Sequence, residues 1–172
     1  MDLASGLVHI YTALAVLYAD PSAKPEQPSL WCLTENVLYE TSGEPIEGKL
    51  AVLEVVATRK DHAKYPDTYC GVVHQDSQFS WTLIEPEYRW KPKHWEIEGA
   101  AQLAYSFMLG DLPKTSVYGA THFINIKQAT HMPDWYYRYE YMGKLGDHEF
   151  FRRPERGELA PKHLRKVKDN DS

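Results

Sequence analysis

The sequence predicts one mainly helical α+β domain, and three observations carry that prediction. Apolar residues recur at three- and four-residue spacing in three stretches between residues 29 and 110, which is typical of amphipathic helices. A run of β-branched and aromatic residues at 117–126 predicts an extended segment instead. The chain of 172 residues suits a single core, and it lacks the strand–helix alternation of a parallel sheet.

Composition narrows the classes of function. Apolar residues make up 43% and charged residues 25% of the chain, which argues against a disordered protein or a multi-span membrane protein. The net charge of −5 argues against nucleic acid as a partner. The aromatic content of 13% is high and indicates a core plus a face on which sugars or bases can stack.

The two ends differ in character from the middle. Residues 3–19 are apolar but follow Asp2 instead of a basic segment, so we expect a helix packed on the core rather than a signal or anchor. Residues 20–29 are proline-rich and predict a linker. Basic residues exceed acidic ones after residue 151, which fits a solvated tail or a tether to an acidic surface. The expected units are therefore 1–28, a folded domain at 29–153 and a charged tail at 154–172.

The first two predicted helices follow each other closely. Ser29 can cap a helix from Leu30 to about Thr41, and Gly43 is placed to end it. Pro45 favours the first turn of a second helix. The apolar residues of that second helix recur at helical spacing: Ile46, Leu50, Leu53, Val56 and Ala57.

The rest of the domain is less regular. Residues 61–71 predict a loop, and residues 76–94 predict an irregular excursion because they are rich in aromatics, proline and charge. A third helix is predicted from about Trp95 to Leu109, with Gly110 at its end. A short strand follows within 117–126, and residues 132–152 are the last segment predicted to be ordered.

Glu40 is the strongest candidate for chemistry. It falls in the last turn of the first predicted helix, where Leu33 and Val37 share its face. Burial against apolar side chains and the negative end of the helix dipole both disfavour the carboxylate, so both raise its pKa. A carboxyl group with a raised pKa is what a general acid for glycosidic cleavage needs. From periodicity alone, a solvated surface glutamate is the favoured interpretation, because single glutamates are mostly solvated.

Other candidate groups have simpler explanations. Glu44 and Glu47 lie where the second helix begins, and acidic residues are favoured there whatever the function. The sequence also lacks the serine-hydrolase elbow, the phosphate-binding loop and the dinucleotide fingerprint, so no cofactor is expected. No metal is expected either, because one cluster matches no metal-binding spacing: His122, His131, His148, Asp134 and Asp147.

Four segments, in this order, carry a family resemblance. They are CLTENVLYETSGEPIEGKLAVLEVVATRK, YPDTYCGVVHQDSQFSWT, GATHFINI with MPDW, and GDHEFF. Together they resemble the SleB-like cell-wall hydrolases, the spore-cortex-lytic type of catalytic domain that some phage endolysins also use. The resemblance covers about Leu30 to Arg152. It implies a lysozyme-like fold of the lytic transglycosylase type, with residues 29–153 as the catalytic domain.

The resemblance also implies an activity. It implies cleavage of peptidoglycan between N-acetylmuramic acid and N-acetylglucosamine by lytic transglycosylation, with Glu40 as the single catalytic acid and base. Thr41 and Ser42 depart from the pair that is commoner beside this position, which puts substrate detail in question. Glu44, Glu47 and His122 are the candidate supporting residues.

Three alternatives stay open at this stage. A muramidase would use Glu44, Glu47 or Glu54 as a second carboxylate across the cleft. A non-catalytic glycan-binding or virion protein would keep the fold without the reaction. A metal-dependent hydrolase would be built on His122 and His148.

We expect the sugar cleft to combine aromatic and polar side chains. Rings can stack on pyranose faces, and polar groups can bond the acetamido groups. Phe123 and Trp135 are explained equally well as core or as cleft residues. The predicted substrate-binding residues are Gln78, Phe79, Ser80, Trp81, Tyr118, His122 and Asn125.

The cysteines and the cellular setting complete the expectations. Cys32 and Cys70 are either two buried thiols or one disulfide, and the resemblance favours their proximity and a disulfide formed after export. The size and the ends of the chain suit a phage endolysin that is made in the host cytoplasm, is released by a holin and acts on the wall in the periplasm. The expected partner is the peptidoglycan glycan strand and the expected state is a monomer. Export or membrane contact through residues 1–19 stays open.

Overall fold

The computed structural model describes residues 29–155 and Glu158. The expected N-terminal helix and linker at 1–28, and most of the charged tail at 154–172, lie outside the described residues. Within 29–155 the chain forms four α-helices and one three-stranded sheet. The architecture is α+β and mainly helical, as the sequence predicts. None of the helices in this range has both the length and the apolar character that crossing a membrane requires.

The helices agree with the apolar spacing of the sequence. The three longer helices begin and end within about one residue of the predicted bounds. The short one lies where a loop was predicted, because the Thr68 hydroxyl caps it by accepting a hydrogen bond from the Gly71 amide at 3.0 Å. The four helices are α1 (Ser29–Glu40), α2 (Ile46–Lys60), α3 (Tyr69–Val73) and α4 (His94–Leu109).

A tight turn joins α1 to α2. The Thr41 carbonyl accepts a hydrogen bond from the Glu44 amide at 3.0 Å. Gly43 has a φ of +80°, a left-handed conformation that glycine adopts without steric cost. The turn therefore needs the predicted glycine, and it brings the beginning of α2 back beside Glu40, the last residue of α1.

A disulfide joins α1 to α3 and decides between the two alternatives that the sequence left open. It links Cys32 to Cys70, whose Cα atoms are 5.3 Å apart. Both helices bury apolar side chains in one core with α4, including Leu33, Val37, Val72, Val73, Ile97 and Ala104. The helix that ends at Glu40 is therefore held to α3 by a covalent bond as well as by packing.

The three-stranded sheet packs against α2. Its strands are β1 (His122–Asn125), β2 (Glu140–Leu145) and β3 (His148–Arg152), which are antiparallel in the order β1–β3–β2. β1 is shorter than the predicted extended segment because residues 117–120 form a turn, in which the Ala120 amide donates to the Val117 carbonyl at 3.0 Å. Buried residues join the sheet side to α2 in a second core: Ala51, Val52, Val55, Val117, Ala120 and Phe150.

Candidate active site

Glu40 occupies a half-buried position at the C-terminal end of α1. Burial raises the pKa of its carboxyl from 4.5 to about 7, and the positive charge of Arg59 opposes part of that rise. The direction of the shift was predicted from the apolar face of the helix and is confirmed. At neutral pH the carboxyl can therefore give up or accept a proton with little bias.

Arg59 is the partner that the sequence analysis missed. Its side chain is only 4% exposed and lies near the end of α2. Its Nε donates a hydrogen bond to the Thr121 carbonyl at 2.7 Å, and its guanidinium carbon lies 5.5 Å from the ring centroid of Tyr65. A signal was available, because Arg59 continues the buried helical spacing of Val52, Val55 and Val56. A cation at a core-facing position of this kind needs a nearby anion or acceptors.

His122 begins β1 on the other side of Arg59. Burial, together with the positive charges of Arg59 and Arg153, lowers its pKa to about 3, so the imidazole is neutral at physiological pH. Its ring centroid lies 5.0 Å from that of Trp135 and 4.8 Å from that of Tyr139. His122 therefore offers hydrogen bonds beside aromatic rings rather than a titrating acid or base.

Arg59 connects the two sides of this site. It interacts electrostatically with Glu40 and with His122, and it is hydrogen-bonded to the backbone between α2 and β1. We define Glu40, Arg59, Thr121 and His122 as the Glu40 site. The helix end, the end of α2 and the first strand of the sheet meet there, which provides a proton donor, a fixed positive charge and a neutral hydrogen-bonding ring.

Glu44 and Glu47 have different positions. The Glu44 side chain is 7% exposed, and its Oε2 accepts a hydrogen bond from the Asp147 amide at 2.9 Å. Its Oε1 lies 3.4 Å from Nδ1 of His148. Glu44 thus fastens the turn after α1 to the turn between β2 and β3. Glu47 is exposed in the first turn of α2, where it is favoured by the helix dipole.

The predicted cleft segment 78–81 is split between the surface and the core. Gln78 is half-buried and Ser80 is exposed. Phe79 is 1% exposed and Trp81 is 4% exposed, so neither ring presents an open face to a sugar. This corrects the expectation that both rings bind substrate. The Trp81 indole instead donates a hydrogen bond to Asn36 Oδ1 at 3.3 Å within the core.

Tyr118 and Asn125 are both accessible, but each already makes a local contact. Tyr118 is 48% exposed, and Lys114 Nζ lies 3.8 Å from its ring centroid. Asn125 is half-buried, and its Oδ1 accepts the Lys127 amide at 3.1 Å. The structure therefore places His122 in the Glu40 site and leaves the remaining predicted substrate-binding residues outside that set.

Glu35 is a second buried carboxyl that the sequence analysis did not single out. Burial raises its pKa to about 7, and the charge of Arg89 opposes the rise. Its Oε2 lies 4.0 Å from Nε2 of His74. Glu35 lies five positions before Glu40, about 140° away around the helix, which turns the two side chains toward different faces of α1. The acid of the Glu40 site and Glu35 therefore do not form a carboxylate pair.

The histidine and aspartate cluster considered in the sequence does not assemble. Across residues 29–155, no group of three or more His, Cys, Asp or Glu side chains is arranged to hold a metal ion. His148 is instead buried against Phe123, with ring centroids 5.2 Å apart, and lies beside Glu44.

Comparison with protein-family models identifies the class of protein. The model described as Cell Wall Hydrolase matches residues 43–151, which is more than half of the chain. The chain therefore belongs to the cell wall hydrolase family, as the four sequence segments indicated. The matched region begins three residues after Glu40 and includes Arg59, Glu44 and His122.

Two solved structures define the fold more closely. The catalytic domain of the germination-specific lytic transglycosylase SleB from Bacillus anthracis is 23% identical, with a TM-score of 0.57, and the match covers 77% of this chain and 100% of that one. The catalytic domain of the Bacillus cereus SleB protein is also 23% identical, with a TM-score of 0.53 and coverage of 76% and 99%. The predicted fold of the SleB catalytic domain is thus confirmed. No curated protein matches the sequence.

Proposed function

We propose that this chain cleaves the glycan strand of peptidoglycan between N-acetylmuramic acid and N-acetylglucosamine by lytic transglycosylation. The observation that carries the proposal is the half-buried carboxyl of Glu40, whose pKa is raised to about 7. Membership of the cell wall hydrolase family supports the substrate class. The likeness to the catalytic domain of a lytic transglycosylase supports the reaction type.

One carboxyl group is sufficient for this reaction. Protonated Glu40 donates its proton to the glycosidic oxygen, the bond to the muramoyl anomeric carbon breaks, and an oxocarbenium-like centre forms. The Glu40 carboxylate then takes the proton from the muramoyl C6 hydroxyl. The C6 oxygen bonds to the anomeric carbon and closes an anhydro ring, so the proton count of the enzyme is restored without water.

Arg59 supports the ionised half of this cycle. Its positive charge favours the Glu40 carboxylate that exists between the two proton transfers. Its hydrogen bond to the Thr121 carbonyl fixes the guanidinium against the sheet, so the charge does not need to reorganise during the reaction. His122 stays neutral and can hydrogen-bond a sugar substituent without competing for the proton.

The other acidic residues support a single-carboxylate mechanism. Glu44 is engaged with the Asp147 amide, and Glu54 Oε1 accepts the Thr115 amide at 2.9 Å. Glu47 is exposed at the beginning of α2. An inverting muramidase needs a second carboxylate free to activate water at about 6.5–9.5 Å from the acid. The residues first considered for that role have structural or surface positions instead.

The decisive experiment is digestion of purified sacculi, with products analysed by mass spectrometry. The wild-type chain should release muropeptides with anhydro-muramic ends, and Glu40→Gln should release none. Glu47→Gln is the matched control, because it makes the same chemical change at an exposed site and should cleave as wild type. Cleavage at the wild-type rate by Glu40→Gln would refute the assignment. Reducing muramic ends would identify a muramidase, and binding without release would identify a glycan-binding protein.

We also propose that the enzyme serves host cell lysis as a phage endolysin released by a holin. The match over the whole length of a SleB catalytic domain supports cleavage of the wall, the activity on which this role depends. Expression of the chain in a Gram-negative host, with and without a co-expressed holin, tests the role. Lysis should require both proteins, and lysis should disappear when the chain carries Glu40→Gln. Lysis by the chain alone would contradict dependence on a holin.

A further inference from the structure

A pocket lies beside the C-terminal end of α1, the helix that ends at Glu40. Its volume is about 200 Å³, and it is enclosed by the last turns of α1, the beginning of α2 and the first half of α4. Glu40 is not among its lining residues. We call it the α1–α4 pocket, and the residues that give it chemical character are Ser42, Lys49, Trp90, Trp95, Glu96 and Gly99.

Two indole rings border the α1–α4 pocket and are exposed. Trp90 is 46% exposed and Trp95 is 65% exposed, although large aromatic side chains are usually buried to a greater extent. Lys93 Nζ lies 4.9 Å from the ring centroid of Trp95. Neither indole belongs to the two buried cores. Exposed tryptophans beside a cavity provide flat apolar surfaces of the kind on which the face of a sugar ring stacks.

Gly99 keeps the pocket open. A glycine inside a helix costs about 1 kcal/mol relative to alanine. A Cβ atom placed on Gly99 would have no neighbouring atom within 4 Å, and Gly99 does not have a positive φ. Neither packing nor backbone conformation therefore requires glycine in α4. Gly99 lines the α1–α4 pocket, so a long side chain at this position adds bulk to the pocket wall.

The polar groups and the size of the pocket fit one sugar unit. Lys49 supplies an ammonium donor, and Glu96 supplies a carboxylate of which one oxygen accepts the Lys93 amide at 2.7 Å. Donors and acceptors beside aromatic rings are suited to hydroxyl and acetamido groups. The volume of about 200 Å³ is below the range of about 300–1,000 Å³ that is usual for drug-sized ligands, which favours a single ring.

The pocket and the Glu40 site share one helix. Val37, Leu38 and Thr41 line the pocket, and Glu40, which lies between them in sequence, does not. A helix with its side chains is about 10–12 Å across, so the pocket is within about that distance of the Glu40 side chain. A polysaccharide is long enough to span this distance, whereas a monosaccharide is not.

We infer that the α1–α4 pocket is an accessory binding site for one N-acetylated sugar unit of the glycan strand that is cleaved at Glu40. This inference rests on the proposed function for the identity of the polymer. Binding at a distance from the reacting bond holds the strand on the enzyme and lowers the substrate concentration that the reaction needs. The pocket then strengthens binding of the glycan strand, and Glu40 carries out the proton transfers of the proposed reaction.

The test measures binding of the soluble hexamer of N-acetylglucosamine to the full chain carrying Glu40→Gln, so that the ligand is not consumed. On this background, Trp95→Ala removes the most exposed indole of the pocket, and Gly99→Leu fills the pocket with a side chain. Each should weaken binding about tenfold, the loss of about 1.4 kcal/mol that removal of a well-placed tryptophan produces. Tyr88→Ala is the matched control, because Tyr88 is a 77% exposed ring that does not line the pocket.

Thermal unfolding separates lost binding from lost folding. Leucine favours a helix more than glycine does, so Gly99→Leu should unfold at the same or a higher temperature while binding more weakly. Hexamer affinity unchanged by both Trp95→Ala and Gly99→Leu would overturn the inference, and so would a parent chain that binds no hexamer. Cleavage by chains with Glu40 intact distinguishes this failure from that of the proposed function. If Trp95→Ala cuts sacculi at the wild-type rate while Glu40→Gln does not cut them, the accessory-site inference is refuted and the proposed function stands.

Discussion

Replacing Glu40 with glutamine should abolish activity and stabilise the fold in a pH-dependent way. Folding raises the pKa of the carboxyl from 4.5 to about 7, so the folded state binds the proton more tightly than the unfolded state. The stability that protonated Glu40 contributes is therefore fully present below pH 4.5 and is lost as the pH rises through 7. A shift of this size corresponds to at most about 3.5 kcal/mol, at about 1.4 kcal/mol per pH unit. Glutamine does not ionise and avoids that loss.

Thermal unfolding of wild type and Glu40→Gln between pH 4.5 and 8.5 measures this effect. The two melting temperatures should be similar at pH 4.5, and the variant should be higher by up to about 7–14 °C at pH 8, from about 2–4 °C per kcal/mol for a chain of this size. Glu35 titrates in both proteins, so its contribution cancels. A difference between Glu40→Gln and wild type that is constant with pH would refute the desolvation argument.

Three further predictions concern the surroundings of the acid. Arg59→Met removes the charge that opposes the rise in the pKa of Glu40, so the alkaline limb of the pH–activity profile should move to higher pH if Glu40 is the proposed acid. An unmoved limb would contradict the coupling. Reduction of the Cys32–Cys70 disulfide, which closes a separation of 38 residues, should lower the free energy of unfolding by about 2–4 kcal/mol in urea titrations. Gly146→Ala should destabilise strongly in the same assay, because its Cβ would lie 1.7 Å from Glu44 Oε2, and wild-type stability would argue against the Glu44 contact.

The helices could be predicted because the signals for them are local. Apolar spacing located α1, α2 and α4, and Gly110 ends α4 with a φ of +76° as expected. The direction of the Glu40 pKa shift follows from the apolar neighbours on its helix, because burial raises the pKa of a carboxyl. Spacing alone did not separate a buried Glu40 from a solvated one, and the four segments that carry the family resemblance were needed to select it.

The rest of the site depends on contacts between distant parts of the chain. Arg59 meets the Thr121 carbonyl across 62 positions, and Glu44 meets the Asp147 amide across 103. Spacing within a segment carries no information about such pairs. The rings of Phe79 and Trp81 could not be assigned for a related reason: an irregular segment has no periodic face, so nothing local distinguishes a buried ring from one in a cleft.

The contact between Glu44 and the hairpin turn has a consequence for transferring this architecture to another protein. Glu40 and Glu44 belong to one short uninterrupted run, but the second holds a piece of chain far away in sequence, at Asp147 and His148. A graft of this run alone would carry the proposed proton donor, Glu40, but Glu44 would lose its hydrogen-bond partner at Asp147. A transfer of this architecture must therefore include the segment at Asp147 and His148 as well as the run that carries Glu40 and Glu44.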